Sequence, residues 1–276
     1  MSGRSDSLPP AFPGDDLLKR QRRIITDSQT VFHHFQQLQR GDLICCRLRF
    51  KPGEEHLLLD LAERGIECIP SFRSQLCSRS KALQTRLFSW AMIPGSTVIY
   101  TIHDLIETVG CFDQAGIDRV VLKLEGKNGG LGVLLFPSIE EIYNQAVLGR
   151  IPYPFVVQPF LANARDLRVI IIGDYREAYV RTNEHGFRQN LHCGATATAC
   201  FPTDEQVALC QRVMEQGGFP YAHLDLLEVD NATTYLSEIN LRGGLRGAQI
   251  NSDDYRRRIE AIYARHRDAE TTPEQQ

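Results

Sequence analysis

Residues 120–136 form two apolar runs around a glycine-rich turn: Val120-Val121-Leu122-Lys123-Leu124-Glu125-Gly126-Lys127-Asn128-Gly129-Gly130-Leu131-Gly132-Val133-Leu134-Leu135-Phe136. Both runs favour β-strands, so the segment predicts a hairpin whose connection is longer than a two-residue turn. Glycines let backbone N–H groups approach a ligand closely, and successive N–H groups form a concave anion site. Lys123 before the turn and Lys127 within it suit a polyphosphate. The alternative is a surface hairpin with solvated lysines, because glycine-rich turns are common.

The composition is that of an ordinary globular chain, with 42% hydrophobic and 24% charged residues among 276. The formal net charge of −3 argues against a general nucleic-acid-binding protein, although it permits a local basic cleft. No apolar run approaches the roughly 20 residues that span a bilayer, and the N-terminal residues lack the apolar core of a signal peptide. We therefore expect a cytoplasmic protein without nucleic-acid or membrane partners. The eight cysteines form no Cys-x-x-Cys pair, so zinc is not expected.

Strands and helices are predicted to alternate near the N-terminus. Strands are predicted at 23–27, 42–46 and 66–70. One helix is expected to be capped by Ser28 and to run to about Gln39, and another to extend from Glu54 to Arg64. Such alternation indicates a small α/β unit with parallel strands. Residues 1–20 have the composition of a disordered arm, and residues 268–276 are expected to form a tail. A further helix, Ser80 to Ala91, is basic, and its local pattern is typical of a solvated amphipathic helix.

Two predicted strands carry candidate metal ligands. The chain is expected to form a strand over Tyr221–Val229, to turn, and to return over Thr234–Asn240. Glu238 and Asn240 then project from the same face, because side chains alternate along a strand, and Asp225 joins them if the strands pair. Two carboxylates and an amide oxygen are hard ligands of the kind that hold Mg²⁺ together with phosphates. The alternative is a polar edge facing water, but the apolar neighbours make unpaired charge there costly.

Several motifs follow one another in order along residues 78–250: Lys81 before a helix, Lys123 before Gly126-x-x-Gly129-Gly130-x-Gly132-Val133, Val157-Gln158-Pro159-Phe160-Leu161, Asp166-x-Arg168, Arg188-Gln189-Asn190-Leu191-His192, Asp225 and Glu238-Ile239-Asn240. This order resembles the ATP-grasp superfamily, and within it the RimK-like carboxylate–amine ligases, with glutathione synthetases as more distant relatives. The resemblance implies an ATP-grasp fold of mixed α/β and α+β character. A small N-terminal α/β domain (21–75) would precede two α+β lobes that clamp the nucleotide. The central lobe (76–160) would carry the glycine-rich lid, and the C-terminal lobe (161–267) the Mg²⁺ site.

The resemblance also implies roles for individual residues. ATP would be bound by Lys81, Lys123, Gly129, Gly130, Gln158, Pro159, Phe160, Leu161, Asp166, Arg188 and Asn190. The arginines near the transferred phosphate would be Arg168, Arg181 and Arg188. One or two Mg²⁺ ions, or Mn²⁺ in their place, would be held by Asp225, Glu238 and Asn240.

Three positions depart from the family pattern. Pro159 stands where an acidic residue is usual, so backbone recognition of adenine requires that no N–H be needed there. Gly243 stands where proline is frequent, which predicts a looser loop after Asn240. Lys127 replaces a small polar residue and adds charge over the phosphates. None of these changes removes a metal ligand or a phosphate-binding lysine, so activity is expected.

The implied reaction is an ATP-dependent ligation that joins a carboxylate to an amine through an acyl phosphate. The expected partners are small-molecule or peptide carboxylates and amines, and a homo-oligomer is compatible with the family. Two alternatives stay open: a non-catalytic ATP-binding module that regulates a partner, and a small-molecule kinase on the same fold. Arg242 and Arg246 either bind a substrate carboxylate or are solvated.

Overall fold

The computed structural model describes residues 21–127, 130–183, 194–230 and 233–269. Its strands form three sheets, one in each third of the chain. Each sheet has helices packed against it, and one short helix joins the second sheet to the third.

The N-terminal sheet is parallel and three-stranded, with β1 (Ile24–Ile25), β2 (Leu43–Ile44) and β3 (Glu67–Cys68) in the order β1-β2-β3. Its helices are α1 (Ser28–His33), α2 (His56–Glu63) and α3 (Phe72–Cys77). The predicted parallel α/β unit is therefore confirmed, although its elements are shorter than expected. Asp27, not Ser28, caps α1 by accepting a hydrogen bond from the Thr30 N–H. The Ser28 hydroxyl instead accepts from the Arg49 N–H at 2.7 Å.

The central sheet is antiparallel and runs in the order β4-β7-β5-β6. Its strands are β4 (Thr97–Ile99), β5 (Val120–Leu124), β6 (Val133–Phe136) and β7 (Phe155–Pro159), and its helices are α4 (Lys81–Leu87), α5 (Ile102–Gln114) and α6 (Ile139–Val147). The predicted hairpin is confirmed, because β5 and β6 pair from Val120 opposite Phe136 to Lys123 opposite Val133. Strand β7 ends at Pro159, as the missing N–H of proline predicts.

The C-terminal sheet is also antiparallel and has the order β10-β9-β8-β11-β12. Its strands are β8 (Arg165–Ile172), β9 (Tyr175–Thr182), β10 (Thr196–Cys200), β11 (Tyr221–Val229) and β12 (Thr233–Asn240), and its helices are α7 (Asp204–Gly217) and α8 (Ser252–Ala269). Thr203 and Gln206 form a capping box at the start of α7. Strand β10 was not predicted, because its small residues are exposed or only partly buried and include none of the large apolar side chains that mark a buried strand face. Helix α8 extends into the segment predicted as a tail.

Helix α4 joins the central sheet to the C-terminal sheet. The Gln84 amide donates to the Ile239 carbonyl and accepts from the Ile239 N–H, both at 3.0 Å, and so attaches α4 to the free edge of β12. On its other side, Ala82 packs with Val98 and Val156 of the central sheet. Much of α4, including Lys81, is therefore buried. The solvated helix that the local pattern predicted is wrong, because contacts from two sheets override that pattern.

Within the described residues, we find no helix that combines the length and apolar character needed to cross a bilayer.

Candidate active site

A cavity of about 310 Å³ lies between the central and C-terminal sheets. Its wall contains predicted ATP-binding residues, one predicted catalytic arginine and two predicted metal ligands: Lys81, Lys123, Gly130, Gln158, Phe160, Leu161, Asp166, Arg181, Asp225 and Glu238. A larger cleft of about 890 Å³ shares Arg181, Asp225 and Glu238 with it and adds Arg168 and Asn240. Residues that are far apart in sequence are thus collected around two adjoining spaces.

The two lysines of the central lobe face the C-terminal lobe. Lys123 is buried, and its ammonium donates to the Ser237 carbonyl at 3.0 Å and lies 3.2 Å from the Ser237 hydroxyl. Lys81 lies in the first turn of α4, 3.9 Å from the Glu238 carboxylate, and donates to the Lys127 carbonyl at 2.6 Å. The pKa of Lys123 is lowered to about 8, because burial disfavours its ammonium form more than the negative charge of Glu238 favours it. Both ammonium groups therefore lie where a bound phosphate would stabilise them.

The candidate metal ligands lie on neighbouring strands. Asp225 of β11 is directly opposite Glu238 of β12, and Asn240 follows two residues later, opposite His223. A register shift follows Asp225. Such irregularities re-aim side chains next to active sites. The pairing that places the two carboxylates together is the one expected from the sequence.

Two arginines hold the Asp225 carboxylate. Arg168 donates to both of its oxygens, at 2.7 and 2.8 Å, and an Arg181 nitrogen lies 3.2 Å from Oδ2. Burial opposes ionisation of Asp225, but Arg168 and Arg181 outweigh it and keep the pKa of this carboxyl well below its usual range. Asp225 is therefore an anion at neutral pH, and its oxygens keep further lone pairs for another partner.

The donor set fits a hard cation that is shared with a nucleotide. All three candidate ligands offer oxygen atoms, as Mg²⁺ prefers. Across the part of the chain that is described, no group of three or more His, Cys, Asp and Glu side chains is placed to hold an ion by itself. An ion at Asp225, Glu238 and Asn240 would therefore complete its coordination with phosphate oxygens or water, which is the usual manner of Mg²⁺.

Asp166, to which the resemblance assigns a role in ATP binding, is engaged by Arg181. Arg181 Nε donates to Asp166 Oδ1 at 2.6 Å. The pKa of Asp166 is raised to about 6, because burial and the nearby charge of Asp225 outweigh the opposing effect of Arg181. Arg181 thus lies between two carboxylates and fixes both, whereas the prediction placed it only beside the transferred phosphate.

Not every residue of the segment predicted to bind adenine can offer a backbone N–H to the cavity. The Phe160 N–H donates to the Arg119 carbonyl at 2.9 Å. Pro159 has no N–H, packs toward Gly95 and does not line the cavity. Leu161 does line it, and its N–H has no partner within the described ranges. Gly129, Arg188 and Asn190 lie outside the described residues.

Comparison with known proteins places this arrangement in a family. The family model described as "RimK-like ATP-grasp domain" matches residues 80–259. The chain belongs to the RimK-like ATP-grasp family. It is 32% identical over 154 residues to a protein of Shewanella amazonensis named "Probable alpha-L-glutamate ligase 1", a match that covers 54% of this chain and 48% of that protein. The chain thus spans about half the length of the curated relatives it matches.

Solved structures confirm the ATP-grasp fold of this RimK-like chain. The ATP-grasp ligase PsnB, solved with its minimal precursor, Mg and ADP, matches with a TM-score of 0.54 and 19% identity over 83% of this chain and 79% of that one. The D-cycloserine synthetase DcsG matches with a TM-score of 0.60 and 12% identity over 81% of this chain and 83% of that one. At such identities the likeness concerns the fold alone.

The structure of this RimK-like chain also explains Gly243. A Cβ at this position would lie 2.5 Å from Nδ1 of His223, so glycine is required by close approach. His223 is buried, and its Nε2 forms a 2.9 Å hydrogen bond with the Tyr255 hydroxyl. Burial lowers the pKa of His223 to about 3, so its ring is neutral. The loop after Asn240 is therefore tightly packed at Gly243 and not loose, as the sequence had suggested.

Sequence reasoning missed Ser237, which anchors Lys123. Its hydroxyl and carbonyl both lie within hydrogen-bonding distance of the Lys123 ammonium. The signal was weak, because a serine one residue before Glu238 is expected on the opposite face of a regular strand. The register shift between β11 and β12 removes that regularity.

Proposed function

We propose that this RimK-like ATP-grasp chain is an ATP- and Mg²⁺-dependent ligase that joins a carboxylate to an amine through an acyl phosphate. The observation that carries the proposal is the cavity in which Lys81 and Lys123 of one lobe face Asp225 and Glu238 of the other. Ammonium groups opposite carboxylates across a narrow space suit a metal-bound polyphosphate. The names of the relatives, a glutamate ligase and two further ligases or synthetases, support the same reaction class.

Lys81 and Lys123 would bind the phosphates, and the Leu161 N–H is the candidate donor to the adenine. Phe160 and Gln158 would form the wall around the base. Gly130 borders this cavity and would approach the phosphates through its backbone. Gly129, Arg188 and Asn190 keep the roles that the resemblance implies.

Asp225, Glu238 and Asn240 would hold one or two Mg²⁺ ions, or Mn²⁺. When bound, the metal would neutralise phosphate charge and polarise the phosphoryl oxygens. Arg168 and Arg181 are assigned as positioning residues for this set, because they keep Asp225 ionised and fix its orientation. Arg181 also lines both spaces, so it contributes positive charge between the nucleotide and the substrates.

In the proposed reaction, a substrate carboxylate oxygen attacks the γ-phosphorus and ADP leaves. The amine nitrogen then attacks the acyl carbon, phosphate departs, and the nitrogen gives up a proton as the amide forms. Phosphoryl transfer depends on alignment and on positive charge around the phosphoryl oxygens, which Lys123 and Arg181 supply here. Substrates would bind in the 890 Å³ cleft, which adjoins the nucleotide cavity at Arg181.

The test is a phosphate-release screen with MgATP across amino acids and short peptides. We expect phosphate and ADP only when an acid and an amine are both present, together with an amide product detected by mass. Glu238→Ala should abolish ADP formation without loss of folding, and Glu63→Ala, an exposed glutamate of α2, is the matched control. Near-normal turnover by Glu238→Ala would refute the metal assignment.

The same screen separates the two alternative functions. ATP binding without phosphate release across the whole panel would support a regulatory module. A stable phosphorylated product that forms without any amine would support a kinase. Neither outcome is expected, because the lysines and carboxylates of the candidate site are all present.

A further inference from the structure

A second large cavity, of about 900 Å³, opens beside the substrate cleft. We call it the outer pocket and define it by Arg47, Arg49, Arg242, Tyr255, Arg256 and Tyr263. It shares Arg47 and the loop Leu241–Gly244 with the cleft that contains Asp225 and Glu238. A substrate that reacts in the cleft can therefore extend past Arg47 and Arg242 into the outer pocket.

The outer pocket is strongly positive. Four arginines line it, and the described residues contribute no Asp or Glu to its wall. Arg256 is paired with Asp253 at 2.8 Å. The side chains of Arg47, Arg49 and Arg242 make no ion pair or hydrogen bond with the described part of the chain. This accumulation of unpaired positive charge occurs in a protein whose formal net charge is −3.

Arg47 distinguishes an anion site from a set of solvated arginines. Arg242 and Arg49 are exposed and can be hydrated, but Arg47 is half-buried. Burial lowers the pKa of Arg47, and the charge of Arg242 lowers it further. A partly desolvated guanidinium beside another one, without a counter-charge, is unfavourable. An anion bound between them would remove both penalties.

The groups around Arg47 do not supply that anion. Tyr221 and Tyr255 face it, and burial raises the pKa of each phenol, so both are neutral at pH 7. The other two groups that shift the pKa of Arg47, Arg242 and Arg49, are both positive. Among the described residues that form the wall of the outer pocket, no acidic side chain balances Arg47, and a bound anion would supply that charge.

We propose that Arg47 and Arg242 bind a second anionic group, a carboxylate or a phosphate, of the substrate that reacts in the adjoining cleft. A guanidinium offers paired N–H donors that match both groups. The ligase would then select substrates with at least two acidic groups. Arg47 lies before the region matched by the family model, so this chain's N-terminal lobe would contribute to specificity. The inference rests on the proposed function for the position of the reacting group, whereas anion binding itself requires no catalysis.

The kinetic test compares pairs of substrates that differ only in carrying one or two acidic groups. The additional group is introduced separately into the carboxylate substrate and into the amine substrate. Carboxylate-bearing and phosphate-bearing versions distinguish the two sources of charge. Arg47→Gln and Arg242→Gln should each raise KM for the preferred doubly acidic substrate about 10–100-fold, as expected for a lost hydrogen bond between charged groups. The preference for doubly over singly acidic substrates, measured as the ratio of their kcat/KM values, should fall by a similar factor, whereas KM for ATP should stay unchanged. Wild-type protein without a preference, or variants with wild-type KM, would overturn the proposal.

The control is Arg257→Gln, which removes an exposed arginine of α8 that pairs with Asp254 and lines neither space. It should behave as the wild type. Melting temperatures establish that each variant is folded, and Arg47→Lys, which keeps the charge, should be less impaired than Arg47→Gln.

A direct binding experiment tests this inference independently of the proposed function. Succinate and inorganic phosphate are titrated while the Nε–H resonances of Arg47 and Arg242 are followed by NMR, with assignments from Arg47→Lys and Arg242→Lys. Saturable shifts with either probe in the millimolar range support the site, and the responding probe identifies the chemistry. Shifts in a protein without ligase turnover would sink the proposed function and leave the anion site. The absence of shifts with both probes would overturn the anion site alone.

Discussion

Gly243 provides a sharp test of the packing beneath the candidate site. In Gly243→Ala the added Cβ would lie 2.5 Å from His223 Nδ1, 2.8 Å from His223 Cγ and 3.2 Å from an Arg168 nitrogen. Contacts below 3.0 Å essentially do not occur for real Cβ atoms, so the loop or the ring must move. The His223 ring has little freedom to move, because it is 1% exposed and hydrogen-bonded to the Tyr255 hydroxyl.

We expect Gly243→Ala to lower the free energy of unfolding by about 1–3 kcal/mol, the usual cost of overpacking. For a chain of this size, that corresponds to a melting temperature lower by about 2–12 °C. The kcat should fall as well, since the methyl group presses on Arg168, which holds Asp225. Gly244→Ala is the matched control: it adds the same methyl group one residue later, with nothing within 4 Å. Its unfolding free energy should stay within about 0.5 kcal/mol of the wild type.

Thermal or urea unfolding of both variants measures this difference. Equal stability of Gly243→Ala and Gly244→Ala would refute the packing argument. A double variant adds a second check: His223→Ala removes the ring that clashes, so it should cost less in the Gly243→Ala background than alone. Strictly additive losses would contradict a direct contact between the two residues.

Three further predictions concern charges at the site. Lys123→Met should lower kcat/KM for ATP about 100–1,000-fold, as for other lost transition-state contacts. Its melting temperature should not fall, because the substitution removes a buried charge. Wild-type kinetics would contradict the assignment of Lys123 to phosphate binding. MgATP affinity should weaken as pH rises past about 8, because the pKa of Lys123 is lowered to about 8 and its ammonium is lost above that value. Lys123→Arg should flatten this dependence, and a pH-independent dissociation constant in the wild type would count against it. Asp225→Asn should lower unfolding free energy by about 3–5 kcal/mol in urea titrations, because Arg168 and Arg181 lose their shared buried counter-charge; unchanged stability would contradict these ion pairs.

Much of the fold could be predicted because the deciding signals are local. The β5–β6 hairpin follows from two apolar runs around glycines, and the start of α7 follows from Thr203 and Gln206. The burial of α4 could not be predicted, because it depends on Gln84 reaching Ile239 in another lobe. The polar strand β10 was missed because its pairing with β9, not its own pattern, makes it a strand.

Part of the candidate site could likewise be predicted from the sequence, and part could not. Strand alternation and one turn suffice to place Glu238 and Asn240 on one face, with Glu238 opposite Asp225. The pairing of Asp225 with Arg168 depends on the register between β8 and β11, which joins residues far apart in sequence. Arg47 and Arg242 come from opposite ends of the described chain yet line the same two spaces, and no local pattern encodes that proximity.

A crystal structure with Mg²⁺ and a non-hydrolysable ATP analogue tests most directly whether the nucleotide binds between the two lobes. We expect the phosphates beside Lys81 and Lys123, and the metal on Asp225, Glu238 and Asn240. A nucleotide bound outside this cavity, or a metal held by none of these three side chains, would contradict the assignment.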